Sequence, residues 1–413
     1  MKGTKKSLQV VLLLAASNLL GPFAILVSTP ILTRLYPPEE FGLFFFFFNL
    51  SSILALLLSG TFFHSIYGER SVRRARFVLV QSSAFAAGWA VIGILCVFGL
   101  VSAGFISKSN EIEWYLTIIL SLSVAVGQSL GALVIRLGRI KLTVSAALVK
   151  AALLIFLQWS LPHVLNSATR MELLVSAVTA EGVACLLLLG RQAGSLAIYC
   201  RSSYRRQFRE LRQKKSFLFH VMPSQLLGVG ANFLPFWALQ NLGASVVSGH
   251  YGMAFRLFAA PINAVAQGLR SVLWRILQAR SADLVTIGKR IFIVGISFNL
   301  LVAFSLYFFE PRIMSYILGP KWTEVDSYLA FASLWMLASF LQVFPSEILK
   351  NIGGQASLLR AELCSAVIKI VMIGGLWLTR DAVLLAKGSF VAGFLSATIS
   401  YLLQMKSVER LAK

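Results

Sequence analysis

Four charged residues stand inside long apolar stretches of this chain: Lys150, Glu181, Arg256 and Lys369. An ionised side chain at the centre of a membrane-spanning helix costs ~2.5–3.5 kcal/mol on insertion scales, so it normally faces a cavity or a partner. Lys150 and Glu181 fall at comparable depth in consecutive stretches, which suits an ion pair between antiparallel helices; a cavity charge is the competing role. Glu181 is the only acid in the deep part of any stretch and, if protons drive transport, the first candidate for carrying the coupling ion. Arg256 lies some eight residues into its stretch, roughly 12 Å along a helix axis, and Lys369 lies midway along its own. An excess of buried cations suits an anion such as a phosphate-linked head group. Pairing within the membrane or snorkelling is the alternative for both.

Bond-making chemistry finds no residues to perform it. There is no GxxxxGK[ST] loop to cradle a nucleotide. His64, His163, His220 and His250 lie in separate segments, and Cys96, Cys185, Cys200 and Cys364 show no paired metal or redox spacing. The expectation is a protein that is not an enzyme, with no metal and no cofactor. Asn18, Asn49, Gln128, Asn232, Gln240, Asn263 and Gln267 are left to line a wet cavity or to bridge helices, and bridging is the commoner outcome.

The segments that must position these residues are helices. Hydrophobic residues make up 57% of the 413, and charged residues only 13%, about half of what a soluble domain needs to keep a hydrated surface. A helix crosses the hydrocarbon with ~20 mostly apolar residues. About twelve such spans can be drawn, at 8–29, 40–62, 77–104, 115–135, 142–160, 171–190, 218–240, 248–269, 290–309, 327–346, 358–378 and 384–405. The first is too long for a secretory signal and should remain as a helix. Tyr36, Trp114, Tyr115 and Trp322 lie near span ends and read as interfacial anchors.

The 38 Lys and Arg outnumber the 16 Asp and Glu, and they gather in every second gap between spans. Excess Lys and Arg in short loops marks the cytoplasmic side, so both termini should be cytoplasmic. The same placement explains the net charge of +22 through topology and anionic membrane lipids, which leaves nucleic acid without a role. The longest inside gap, 191–217, carries Arg191, Arg201, Arg205, Arg206, Arg209, Arg212, Lys214 and Lys215 against Glu210 alone. It divides the chain into an amino-terminal six-helix lobe (1–190), a basic linker (191–217) and a carboxy-terminal six-helix lobe (218–413). Phe41-Gly42 and Tyr251-Gly252, each two spans into a half, are a faint trace of duplication.

The segment Ser28-Thr29-Pro30-Ile31-Leu32-Thr33-Arg34-Leu35-Tyr36-Pro37-Pro38-Glu39-Glu40-Phe41-Gly42-Leu43-Phe44 closely resembles the early loop of bacterial polysaccharide export proteins. These are the O-antigen flippases of the multidrug/oligosaccharidyl-lipid/polysaccharide exporter superfamily. Leu318-Gly319-Pro320-Lys321-Trp322 looks like that family's Gly-x-x-Trp loop. The resemblance implies an all-α polytopic fold of two six-helix bundles in a V, placed in the bacterial cytoplasmic membrane. It implies passage of an undecaprenyl-pyrophosphate-linked oligosaccharide to the periplasmic leaflet by alternating access, with glycan polymerase or glycosyltransferases as candidate partners. It also brings Arg34 into the basic substrate-binding set with Lys150, Arg256 and Lys369, although Arg34 equally suits a brace for the outer turn. A multidrug cation antiporter of the same superfamily is the alternative, and would be expected to prefer an acidic cavity.

Overall fold

The structure is a computed structural model, and it describes residues 27–63, 66, 71–105, 107–190, 217–278, 284–309, 313–351 and 354–412. Helical residues 27–35 lead into α1 (Pro38–Ser59), followed by α2 (Val72–Ser102), α3 (Glu111–Arg136), α4 (Ile140–Leu165) and α5 (Arg170–Gly190). A short π turn, Phe217–Val221, opens α6 (Met222–Asn241), and α7 (Ser245–Gln278), α8 (Leu284–Phe309) and α9 (Ile313–Leu318) follow. After a 3-10 turn at Pro320–Val325 come α10 (Asp326–Leu341), α11 (Val343–Asn351), α12 (Gln355–Leu378) and α13 (Ala382–Ala412).

Every expected span from the second to the twelfth falls on helix, the tenth divided between α10 and α11; the first lies outside the described residues apart from its end. Among the described residues eight helices are long and apolar enough to cross a membrane, and 292–308 is a shorter apolar helix. The chain is an all-α, multi-pass membrane protein. Glycines close two of the tight connections between helices. Gly138 (φ 69°) turns α3 into α4 and Gly243 (φ 68°) turns α6 into α7, a left-handed conformation that costs glycine least. In both turns the backbone N–H groups return to the last carbonyls of the preceding helix, as a helix end requires when water is absent.

The described residues fall into two compact units, one of 47–229 and one of residues up to 46 together with 230–413. The expected linker, 191–217, lies outside the described residues except for Phe217. In the first unit Leu130, Leu133 and Val134 of α3 form a core with Val78 and Leu79 of α2, Ala146 of α4 and Leu188 of α5. The larger unit has its own core, where Leu341, Ile348 and Leu358 meet Tyr401 and Met405 of α13. Lipid supplies no hydrophobic drive between helices, so close packing of small residues takes over. On α13 the buried face includes the small residues Ala386, Ser389, Ala392, Ser396, Ala397 and Ser400 beside the larger Leu385, Phe390 and Tyr401.

The amino-terminal segment joins the larger unit through a backbone crossing. A Cβ added to Gly42 would lie 2.1 Å from the Ser245 carbonyl oxygen, and one added to Gly249 would lie 2.0 Å from that of Pro38. Gly252, further along α7, has Phe45 against it in the same way. Thus the two aromatic-glycine pairs that echo each other in sequence lie on helices that pack together here. The neighbours of Gly42 and Gly249 are backbone atoms, which cannot rotate aside. Gly249→Ala is therefore expected to destabilise the protein by about 1–3 kcal/mol or more, as overpacking does. Gly374→Ala, where nothing lies within 4 Å, should leave stability unchanged or slightly raised. Thermal unfolding of both variants in one detergent measures the contrast.

Candidate functional site

The buried face of α12 is Leu358, Ala361, Ser365, Ala366, Lys369 and Ile373, a helical stripe that would be wholly apolar or small but for its lysine. Lys369 is 8% exposed. Its Nζ donates to Asn232 Oδ1 of α6 at 2.7 Å and lies 5.1 Å from the centre of the Trp335 ring of α10. Both partners are neutral, and among the described residues no carboxylate stands within ion-pair distance of this ammonium. The amide dipole and the ring quadrupole compensate the charge only in part. A lysine so held keeps most of its attraction for an anion.

Trp335 owes its position to a glycine and to aromatic neighbours. A Cβ on Gly393 of α13 would lie 2.5 Å from the indole. Phe255 of α7 and Phe390 of α13 stand 5.2 Å and 5.8 Å from the ring. Tyr251 stacks on Phe390 at 4.4 Å. This aromatic floor brings α7, α10, α12 and α13 together under Lys369. Arg256 directly follows Phe255; it is half-buried, and among the described residues it forms no ion pair. Lys369 and the neighbour in sequence of Arg256 thus share one aromatic cluster.

Glu362 also belongs to this unit, two helical turns before Lys369 and about 10 Å along the axis. Gln404 Nε2 donates to its Oε1 at 3.1 Å and to Ser400 Oγ at 3.0 Å. Glu362 lies close to the start of its apolar stretch, so hydropathy alone treats it as interfacial and leaves Glu181 as the only deep acid. The available signal was the seven-residue spacing to Lys369, which puts both on one helix face.

In the other unit, Lys150 Nζ of α4 pairs directly with Glu181 Oε2 of α5. Glu181 Oε1 would touch a Cβ on Gly127 of α3, at 3.1 Å, so the carboxylate is seated in the groove between α3 and α5. Lys150 is 43% exposed, on a helix whose large apolar side chains face outward. The pair compensates both charges at mid-span, as the comparable depths of the two residues suggest. The uncharged candidates divide similarly: Asn232 is occupied by Lys369, and Gln240 Oε1 accepts from Ser245 Oγ at 3.1 Å. Asn18 and the side chains of Asn263 and Gln267 lie outside the described residues.

Arg34 is exposed, and a Cβ added to Gly319 would meet its Cγ at 3.8 Å. It borders a buried knot built from the two segments that carry the family resemblance. Trp322 Nε1 donates to the Thr33 carbonyl at 2.9 Å, and the ring packs edge-on against Phe41 at 5.3 Å and His250 at 5.7 Å. Each nitrogen of His250 faces an oxygen, Lys321 O at 3.3 Å and Glu324 Oε2 at 3.1 Å. Tyr36 and Trp322 are both fully buried, which corrects their reading as interfacial anchors. The amphipathic ring that suits an interface also suits a core where its N–H finds a carbonyl.

Among the described residues no group of three His, Cys, Asp or Glu is placed to hold a metal ion. No protein-family model matches the chain. No curated protein matches it. Solved structures do. A mutant of the Vibrio cholerae MATE transporter VcmN is 14% identical over 99% of both chains, with a TM-score of 0.66. A MOP-superfamily transporter from Pyrococcus furiosus is 14% identical, covers 98% of this chain and 95% of its own, and superposes with a TM-score of 0.67; the reverse polarity of its binding pocket is said to suggest a different function. An outward-facing multidrug resistance MATE-family transporter of the MOP superfamily gives 15% identity, 98% and 96% coverage and a TM-score of 0.62. The chain has the fold of MOP-superfamily transporters of the MATE type.

Separating Lys150 from Glu181 leaves one ionised group without its partner in hydrocarbon. Lys150→Met and Glu181→Gln should each lower the unfolding temperature, whereas the double variant should recover most of the loss. A double-mutant cycle in detergent or bicelles reads the coupling directly. An additive cycle would show that the two charges do not support each other.

Proposed function

We propose that this chain is a transporter working by alternating access, and that its cargo is an anionic amphiphile, an undecaprenyl-pyrophosphate-linked oligosaccharide. The observation that carries this reading is Lys369: a buried lysine whose nearest partners are an amide and an indole. A sugar-phosphate head cannot enter hydrocarbon unaided, because each unpaired polar group costs several kcal/mol. An interior cation replaces part of its hydration, and a phosphate oxygen takes the place of Asn232 on the ammonium. Arg256 adds a fork of donors that matches a phosphate. The packing of Trp322 on Thr33 and Phe41 supports the family resemblance independently, since it joins the two segments on which that resemblance rests.

A multidrug or cation antiporter is the second reading, and the comparisons favour it, because one similar structure is a multidrug resistance transporter by name and others are MATE transporters. The Pyrococcus furiosus structure supports the first reading to the extent that a reversed pocket polarity in this fold is said to accompany a different function. Two carboxylates are our candidates for carrying a coupling proton under either reading: Glu181, paired with Lys150, and Glu362, which accepts from Gln404. We assign Lys369 and Arg256 to substrate. Lys150 contributes only if it exchanges Glu181 for substrate, and Arg34 serves the outer turn.

Proteoliposomes offered a lipid-linked oligosaccharide diphosphate and, separately, a fluorescent lipophilic cation distinguish the two readings. Lys369→Met and Arg256→Met should each reduce transport of the anionic lipid at least about tenfold, equivalent to about 1.4 kcal/mol; Lys369→Arg should keep part of it. Faster movement of the cation in Lys369→Met than in the parent, with no movement of the anionic lipid in either, would replace the first reading with the second.

The coupling group is identified by a pH gradient imposed across the same vesicles. Glu362→Gln is expected to transport at a rate that no longer responds to the gradient, while Glu181→Gln, if it remains folded, keeps its response. The opposite pattern would return the coupling role to Glu181.

A further inference from the structure

The outer face of α8 and the end of α10 enclose an open groove of about 470 Å³. Val294, Gly295 and Phe298 of α8 line it with Leu337 and Leu341 of α10, and Arg290 at one end is its single charge. The floor depends on Gly295. A Cβ there would lie 2.4 Å from Leu341 Cδ2, so the missing side chain lets α10 lean onto the α8 backbone. Val294 and Phe298 stay exposed and form a wall.

We propose that this groove binds an anionic glycerophospholipid, with one acyl chain along the floor and its phosphate on Arg290. The dimensions suit a single leaflet. From Arg290 to Phe298 the helix rises about 12 Å, close to half of a ~30 Å hydrocarbon layer. The charge also fits: Arg290 is exposed, among the described residues it makes no ion pair, and a guanidinium matches phosphate geometry. The basic-loop pattern puts this end of α8 on the cytoplasmic side, where anionic lipids concentrate. A neutral lipid would fill the apolar floor equally well but would leave the arginine unanswered. An undecaprenyl chain is several times longer than the groove. The inference requires only that the helices lie in a bilayer, so it stands or falls separately from the transported substrate.

Native mass spectrometry of the purified full-length chain, titrated with phosphatidylglycerol or phosphatidylcholine, tests it. The parent protein should retain phosphatidylglycerol about fivefold more tightly, the preference that one arginine near a charged headgroup supplies. Arg290→Gln should bring the two lipids to parity. Val294→Trp, which fills the groove without touching the charge, should weaken both. An unchanged preference in Arg290→Gln, or unchanged binding in Val294→Trp, would overturn the proposal. So would undecaprenyl phosphate displacing phosphatidylglycerol from the parent but not from Arg290→Gln, since the carrier would then be the occupant. Should either variant fail to purify as a single species, a photoreactive phosphatidylglycerol on the parent decides: labelling of 284–309 and 326–341 supports the site, and labelling confined to other helices removes it.

Discussion

Hydrocarbon offers a polar group nothing to bond, so each such group in this chain needs a partner within the protein. That constraint shapes the backbone before it shapes any site. Helices satisfy their own ladders, and the turns between them return N–H groups to terminal carbonyls. Where two helices must approach more closely than side chains allow, Gly42 and Gly249 bring carbonyl oxygens against bare Cα positions. Trp322, 289 residues from Thr33 in sequence, closes the same region by donating its indole N–H to the Thr33 carbonyl. The aromatic cluster beneath Lys369 rests on α7, and α7 is held by this crossing.

The helices were legible because spanning hydropathy is a local property, and the α4–α5 pair was legible as one of two roles, because two charges at comparable depth in consecutive antiparallel helices are able to meet. What escaped was long-range. Nothing near Trp322 indicates that its partner is Thr33, so a ring at a span end reads as an anchor and Tyr36 is misread for the same reason. Glu362 escaped for a different cause: span ends drawn from hydropathy treat an acid in the first turn as interfacial. In the structure α12 continues to Gln355, and that turn packs against α13, where Gln404 waits. Arg34, Arg256 and Lys369 were legible as residues, but their separate environments were not.

Those environments differ in what releasing each charge would leave behind. Lys150 has a carboxylate, and the pair is nearly self-sufficient: a third party would have to displace Glu181 and leave that acid without its cation. Lys369 is held by a dipole and a ring, neither of which becomes an uncompensated charge when it is released. Exchanging Asn232 for a phosphate oxygen replaces a neutral acceptor with an anionic one, and charge-assisted hydrogen bonds are roughly twice as strong as neutral ones. The favourable direction is therefore towards the anion.

The exchange has a mechanical side as well. Asn232 lies on α6 three residues before Pro235, whose ring removes a backbone donor inside the helix. The Lys369–Asn232 bond ties this weakened stretch of α6 to α12, and an anion that takes the lysine releases the tie. Binding then favours whichever conformation of α6 no longer needs it, and the shift equals the difference in affinity between the two conformations. A cationic cargo would have no such hold on the lysine and would instead have to enter against its charge. On the proposed reading the same residue selects the sign of the cargo and couples its arrival to α6, which Pro235 weakens close to the bond.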